Sequence, residues 1–117
     1  MAGSIFLSKE LRLPVSTQQF GYLIERIRRA FDADGQAYLR EIYSPMDDGG
    51  MNFISAENES EAGFKAFFYA IVKARSVAES EDNYGAFAQL WSDLLTKMRT
   101  DPRFSSEWEY FAKASEK

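Results

Sequence analysis

Residues 36–56 read QAYLREIYSPMDDGGMNFISA, and the way this stretch folds decides the architecture. Asp34-Gly35 just ahead of it is a turn signal. From Gln36 to Tyr43 the side chains alternate, with Leu39, Glu41 and Tyr43 on one side and Tyr38, Arg40 and Ile42 on the other, which reads as a strand. Ser44-Pro45-Met46-Asp47-Asp48-Gly49-Gly50 is the densest turn chemistry in the chain. Beyond it Met51 to Ala56 alternates again. The simplest reading is a hairpin closed by an Asp-Gly turn, and that makes a small antiparallel sheet the centre of the domain.

Working outward, Ser4 to Leu13 carries Ile5, Leu7, Leu11 and Leu13 and ends at Pro14, as one strand or two short strand pieces would. Ser16 and Gln19 form an S-x-x-Q capping box, followed by Phe20, Leu23, Ile24, Ile27 and Phe31 at helical spacing, which predicts a helix over Thr17–Phe31. On the other side, Phe64, Phe67, Phe68, Ile71, Arg75 and Ala78 share a stripe that predicts a helix over Ser60–Ala78. Glu79 to Asn83 breaks the pattern. Phe87, Leu90, Trp91, Leu94, Leu95 and Met98 then resume it to about Arg99. Asp101-Pro102 is a stop, and a second capping box at Ser106 and Glu109 opens a last helix over Ser106–Ser115. The expected fold is α+β: one domain over residues 1–117, about three mostly antiparallel strands packed on about four helices, in the order β-α-β-β-α-α-α.

Composition excludes more chemistry than it proposes. The 117 residues contain neither cysteine nor histidine. Disulfides, the usual zinc sites, thiolate nucleophiles and Ser-His-Asp relays are therefore outside its reach, and no cofactor is expected. With 45% hydrophobic and 15% aromatic residues the chain belongs to the globular class. Nothing at the N-terminus reads as a signal peptide, so the expected compartment is the cytoplasm. The longest apolar run, Ala66–Val72, suits a helix core and is far short of a membrane span.

The net charge of −4 conceals an uneven distribution: residues 32–82 carry eleven acids and four bases, whereas the two flanks together are net positive. Such a balance disfavours nucleic acid as the main partner. Asp47, Asp48 and Glu57 are the acids that a small metal-dependent hydrolase could use, although adjacent residues of a strand point to opposite faces. Glu57, Glu59 and Glu61 precede a helix, where the N-terminal pole rewards negative charge by roughly 0.3–1 kcal/mol each. Glu79, Glu81 and Asp82 lie where one helix ends and the next begins. Only Asp82 can gain there, as a cap, so this corner points more strongly to an external cationic partner. Trp108, Tyr110 and Phe111 lie near the C-terminus, either in a seam of the domain or in an interface such as a homodimer's.

In general character the chain resembles the small bacterial immunity proteins that neutralise a cognate toxin, including those of contact-dependent growth inhibition systems. The likeness rests on the acidic loop Asp47-Asp48-Gly49-Gly50, the acidic start of the second long helix and the Glu79–Asp82 corner, with no shared motif. It implies a protein-binding inhibitor without catalysis of its own, a monomer or weak homodimer, meeting a basic toxin surface. The acids expected at that surface are Asp47, Asp48, Glu57, Glu59, Glu61, Glu79, Glu81 and Asp82. A metal-dependent hydrolase and a homodimeric structural subunit are the competing readings.

Overall fold

The computed structural model describes residues 2–110. Three short strands, β1 (Gly3–Phe6), β2 (Arg12–Val15) and β3 (Phe53–Ser55), form one sheet in the order β2-β1-β3. Four helices of three or more turns surround it: α1 (Thr17–Ala30), α2 (Gln36–Asp47), α3 (Glu61–Ala78) and α4 (Tyr84–Arg99). The α+β class agrees with the sequence reading, as do α1, α3, α4 and a strand at Phe53–Ser55; the element order is β-β-α-α-β-α-α rather than the expected β-α-β-β-α-α-α. The N-terminal segment is two strand pieces, as one of its two readings had it. β1 pairs antiparallel with β2 and parallel with β3, so the sheet is mixed.

The correction falls on the stretch that decides the architecture. Gln36–Tyr43 is not a strand: it belongs to α2, so there is no hairpin between it and the strand that follows. Leu39, Ile42 and Tyr43 are buried and Met46 packs half-buried beside them. These positions are spaced i, i+3, i+4 and i+7, a helical stripe that half-buried Tyr38 disguised as two-faced alternation. Asp34-Gly35 is not a strand turn either. It lies in a 3-10 turn, Ala33–Gly35, whose Asp32 carboxylate accepts from Gly35 N–H at 3.0 Å and which leads directly into α2.

Pro45 sits inside α2. The Glu41 carbonyl, which a residue-45 N–H would normally serve, accepts instead from the Ser44 hydroxyl at 3.0 Å. Asp48-Gly49-Gly50 then ends the helix rather than closing a hairpin. Gly50 has φ +66°, the left-handed conformation that favours glycine, and a Cβ on Gly49 would lie 2.8 Å from the Pro45 carbonyl oxygen. The chain then returns as β3 beside β1.

Elsewhere local signals and packing agree. Both halves of the Ser16–Gln19 capping box are made, at 2.9 and 3.1 Å. Ile5 of the central strand is flanked in register by Leu13 and Ile54, and all three are buried against the helices. Trp91, Tyr43, Phe64, Phe67 and Phe68 are fully buried. Trp91 donates to the Tyr22 hydroxyl at 3.0 Å and Tyr43 donates to the Ile24 carbonyl at 2.6 Å, so these large side chains enter the core with their polar atoms satisfied. Trp108 packs on Phe64, Phe68 and Phe104, which makes it a seam of the domain. Residues 107–110 form the start of the last expected helix; its remainder, and Phe111 of the competing homodimer face, lie outside the described residues.

Candidate partner-binding site

The acids singled out from the sequence occupy three places, and the fold treats them differently. Asp47, on the last turn of α2, receives both terminal nitrogens of Arg28 at 2.8 and 2.9 Å, while Arg28 lies over the Tyr43 ring at 4.5 Å. The paired guanidinium holds the Asp47 carboxyl below its ordinary range. Glu81 is tied across the molecule to Arg26, at 2.9 and 3.0 Å, and Arg26 stacks on Tyr22 at 3.9 Å. These two acids anchor helix α1 to its neighbours.

Asp48, Glu79 and Asp82 are exposed and make no ion pair among the described residues. Asp48 and Glu79 are the C-terminal caps of α2 and α3, next to the negative helix pole, where a carboxylate loses rather than gains stability. Asp82 does not cap α4, whose N-cap is Asn83 with no side-chain bond. The helix poles thus leave Asp48 and Glu79 unexplained by folding, whereas Asp82 still lies beside the positive pole of α4.

Glu57, Glu59 and Glu61 precede and open α3. Glu61 is its exposed first residue, and the Ser60 hydroxyl accepts from Gly63 N–H at 3.2 Å to cap the helix. Glu57 is half-buried. Glu59 contradicts the expectation that the helix pole would stabilise it. Burial and the nearby Glu41 raise its carboxyl above the ordinary range, and Arg103 only partly offsets them.

Arg103 is the residue that sequence reasoning missed. Its Nη1 donates to the carbonyls of Ala56 and Glu59 at 2.8 and 2.9 Å. Its Nη2 donates to Leu7 at 2.5 Å and to Asp101 at 2.8 Å, and its Nε also reaches Asp101 at 2.8 Å. The guanidinium lies 4.1 Å over the Phe64 ring. The link carrying Glu57 and Glu59 is thereby fixed to the residue that follows β1 and to the turn that follows α4. The one available signal was an arginine directly after the Asp101-Pro102 stop.

Sequence reasoning also missed a groove of about 560 Å³ between the α1–α2 connection and α3. Ala62, Ala66 and Ala70, every fourth residue of α3, leave it open. Lys65, Tyr69 and Lys73 border it on α3; Asp32, Asp34 and Tyr38 border it on the other side. By contrast Asp47, Asp48 and Glu57 form no centre: among the described residues no three acids, histidines or cysteines are grouped to hold a metal ion. Nor is any helix of those residues long and apolar enough to cross a membrane.

An α+β domain with uncompensated acids at the ends of α2 and α3 and an open groove has the makings of a small protein-binding module. Comparison with known proteins makes that class specific. The chain is 41% identical over 103 residues to the immunity protein CdiI of Burkholderia pseudomallei, covering 88% of this chain and 94% of that protein. It also superposes, with a TM-score of 0.86 and 39% identity, on a chain from the structure of a CdiA-CT toxin from Burkholderia pseudomallei in complex with its cognate CdiI immunity protein, covering 89% of this chain and 100% of that one. No protein-family model matches. The chain belongs to the CdiI immunity protein family.

Proposed function

We propose that this protein neutralises the C-terminal toxin domain of a CdiA-type protein by binding it in the cytoplasm. The observation that carries this reading is the 41% identity to a CdiI immunity protein across nearly the whole of both chains. Inhibition is by occupation: the toxin is held by a folded surface, and no bond is made or broken. Asp48, Glu57, Glu59, Glu61, Glu79 and Asp82 supply the acidic contacts to a basic toxin surface. Asp47 and Glu81 lie within the same surfaces with their charge met by Arg28 and Arg26. Two carboxylates at the unfavourable ends of helices support an external use for that charge.

The test is a charge reversal of the three exposed acids that make no ion pair among the described residues. Asp48→Lys, Glu79→Lys and Asp82→Lys together are expected to slow association with a cognate CdiA-type toxin domain by about tenfold or more, with the melting temperature kept or raised. Unchanged association and affinity would remove the acidic surface from the account while keeping toxin binding.

A further inference from the structure

The groove along α3 is built unlike the rest of the surface. Its alanine positions recur every fourth residue on a helix whose other face is packed with phenylalanine. A second recess of about 100 Å³, lined also by Arg26 and Arg29, continues the line, sharing Ala30 and Lys73 with the first and ending at Val77, which is 61% exposed, and at Glu81, which Arg26 already pairs. From Ala62 to Val77 the α3 edge runs about 22 Å at the rise of an α-helix. One end adjoins the acidic Glu57–Glu61 link and the other the acidic Glu79–Asp82 corner, so the channel joins two of the three places where free carboxylates gather.

Its borders carry opposite charges that do not meet. Asp34 and Lys73 line the same recess and neither makes an ion pair among the described residues. Tyr38 and Tyr69 line it as well, half-buried, the kind of rigid amphipathic side chain that anchors interfaces. A volume of about 560 Å³ is ample for one or two large side chains. Resting on the proposed toxin binding, we infer that this groove is the docking cleft for an inserted segment of the toxin domain. An apolar side chain of that segment sits over Ala66 between the two tyrosines, a basic residue faces Asp34, and an acidic residue faces Lys73. The acidic surfaces at the two ends of the channel steer the toxin, and the groove holds it.

Affinity for a cognate CdiA-type toxin domain, measured by calorimetry, tests the assignment. Asp34→Lys, Lys73→Glu and Ala66→Arg are each expected to weaken binding by about tenfold or more, with the helical spectrum and melting temperature of the wild type. Lys9→Glu, an exposed reversal in the β1–β2 turn, is expected to leave binding unchanged. Should Ala66→Arg fail to fold, the two exposed reversals still decide. Wild-type affinity in both reversals overturns the groove while the toxin-binding reading stands, and so does an equal loss in Lys9→Glu. A wild-type dimer that Lys73→Glu dissociates would place a second copy in the groove and overturn it too. Absence of wild-type binding to that toxin domain defeats the functional reading and the groove together.

Discussion

Arg103 directs all five of its N–H groups to acceptors, three of them carbonyls from two distant segments and two the oxygens of Asp101, whose side chain is 2% exposed. Burial on its own would raise the Asp101 carboxyl. The hydrogen bonds and charge of Arg103 outweigh burial and hold it below its ordinary range. A carboxyl lowered by folding stabilises the protein above its unfolded value, about pH 4, and loses that contribution as the pH falls through the folded one. Asp101→Asn is therefore expected to cost about 2–3 kcal/mol at pH 7, with the deficit shrinking as the pH drops below about 4. Glu59 has the opposite sign. Its raised carboxyl means that folding favours the protonated form, a contribution present at low pH and lost as the pH rises. Glu59→Gln is expected to raise the urea midpoint at pH 7 and to match the wild type near pH 3. A lowered midpoint at pH 7 would contradict the account. An acid kept at a cost to the fold fits a residue retained for its partner.

At the scale of elements, the end of α2 is the place where local chemistry and long-range packing part company. Gly50→Ala places a β-carbon in the left-handed region and is expected to cost about 1 kcal/mol. Gly49→Ala is expected to cost more, because its added carbon meets the Pro45 carbonyl. Urea midpoints of the two variants check the order; a neutral Gly50→Ala would mean that the turn does not need its present conformation. The same segment shows how far the sequence could be read. α1, α3 and α4 were legible because an apolar stripe at helical spacing marks each of them, reinforced at α1 by the Ser16–Gln19 capping box. α2 was not, because Pro45 and the glycine pair announce a turn in either fold, and Tyr38 fills the gap in the stripe. Which strand pairs with β1 depends on contacts between residues some fifty positions apart, such as Ile5 with Ile54, and no local pattern encodes that register. The site was half legible. Acid positions are visible in sequence, but the partners that commit Asp47 and Glu81 come from α1, and Arg103 gathers carbonyls that have no sequence signature at all.

For the molecule as a whole, size limits what the acidic residues can do together. A standard interface takes about 800 Å² from each partner, roughly an eighth of the 6685 Å² surface. Acids at the ends of α2, α3 and the link before α3 therefore divide between direct contact and long-range steering. Steering is screened by salt and direct docking less so. Residues 32–82 hold eleven of the eighteen acids, and most of the groove lining falls there too, with Ala30 and Phe31 added from the end of α1. The most direct test is protection. Bacteria induced to express a cognate CdiA-type toxin domain are expected to stop growing, and to resume growth when this protein is co-expressed, with the two recovered as a stable complex. Continued growth arrest, with the protein folded and abundant in those cells, would contradict the account.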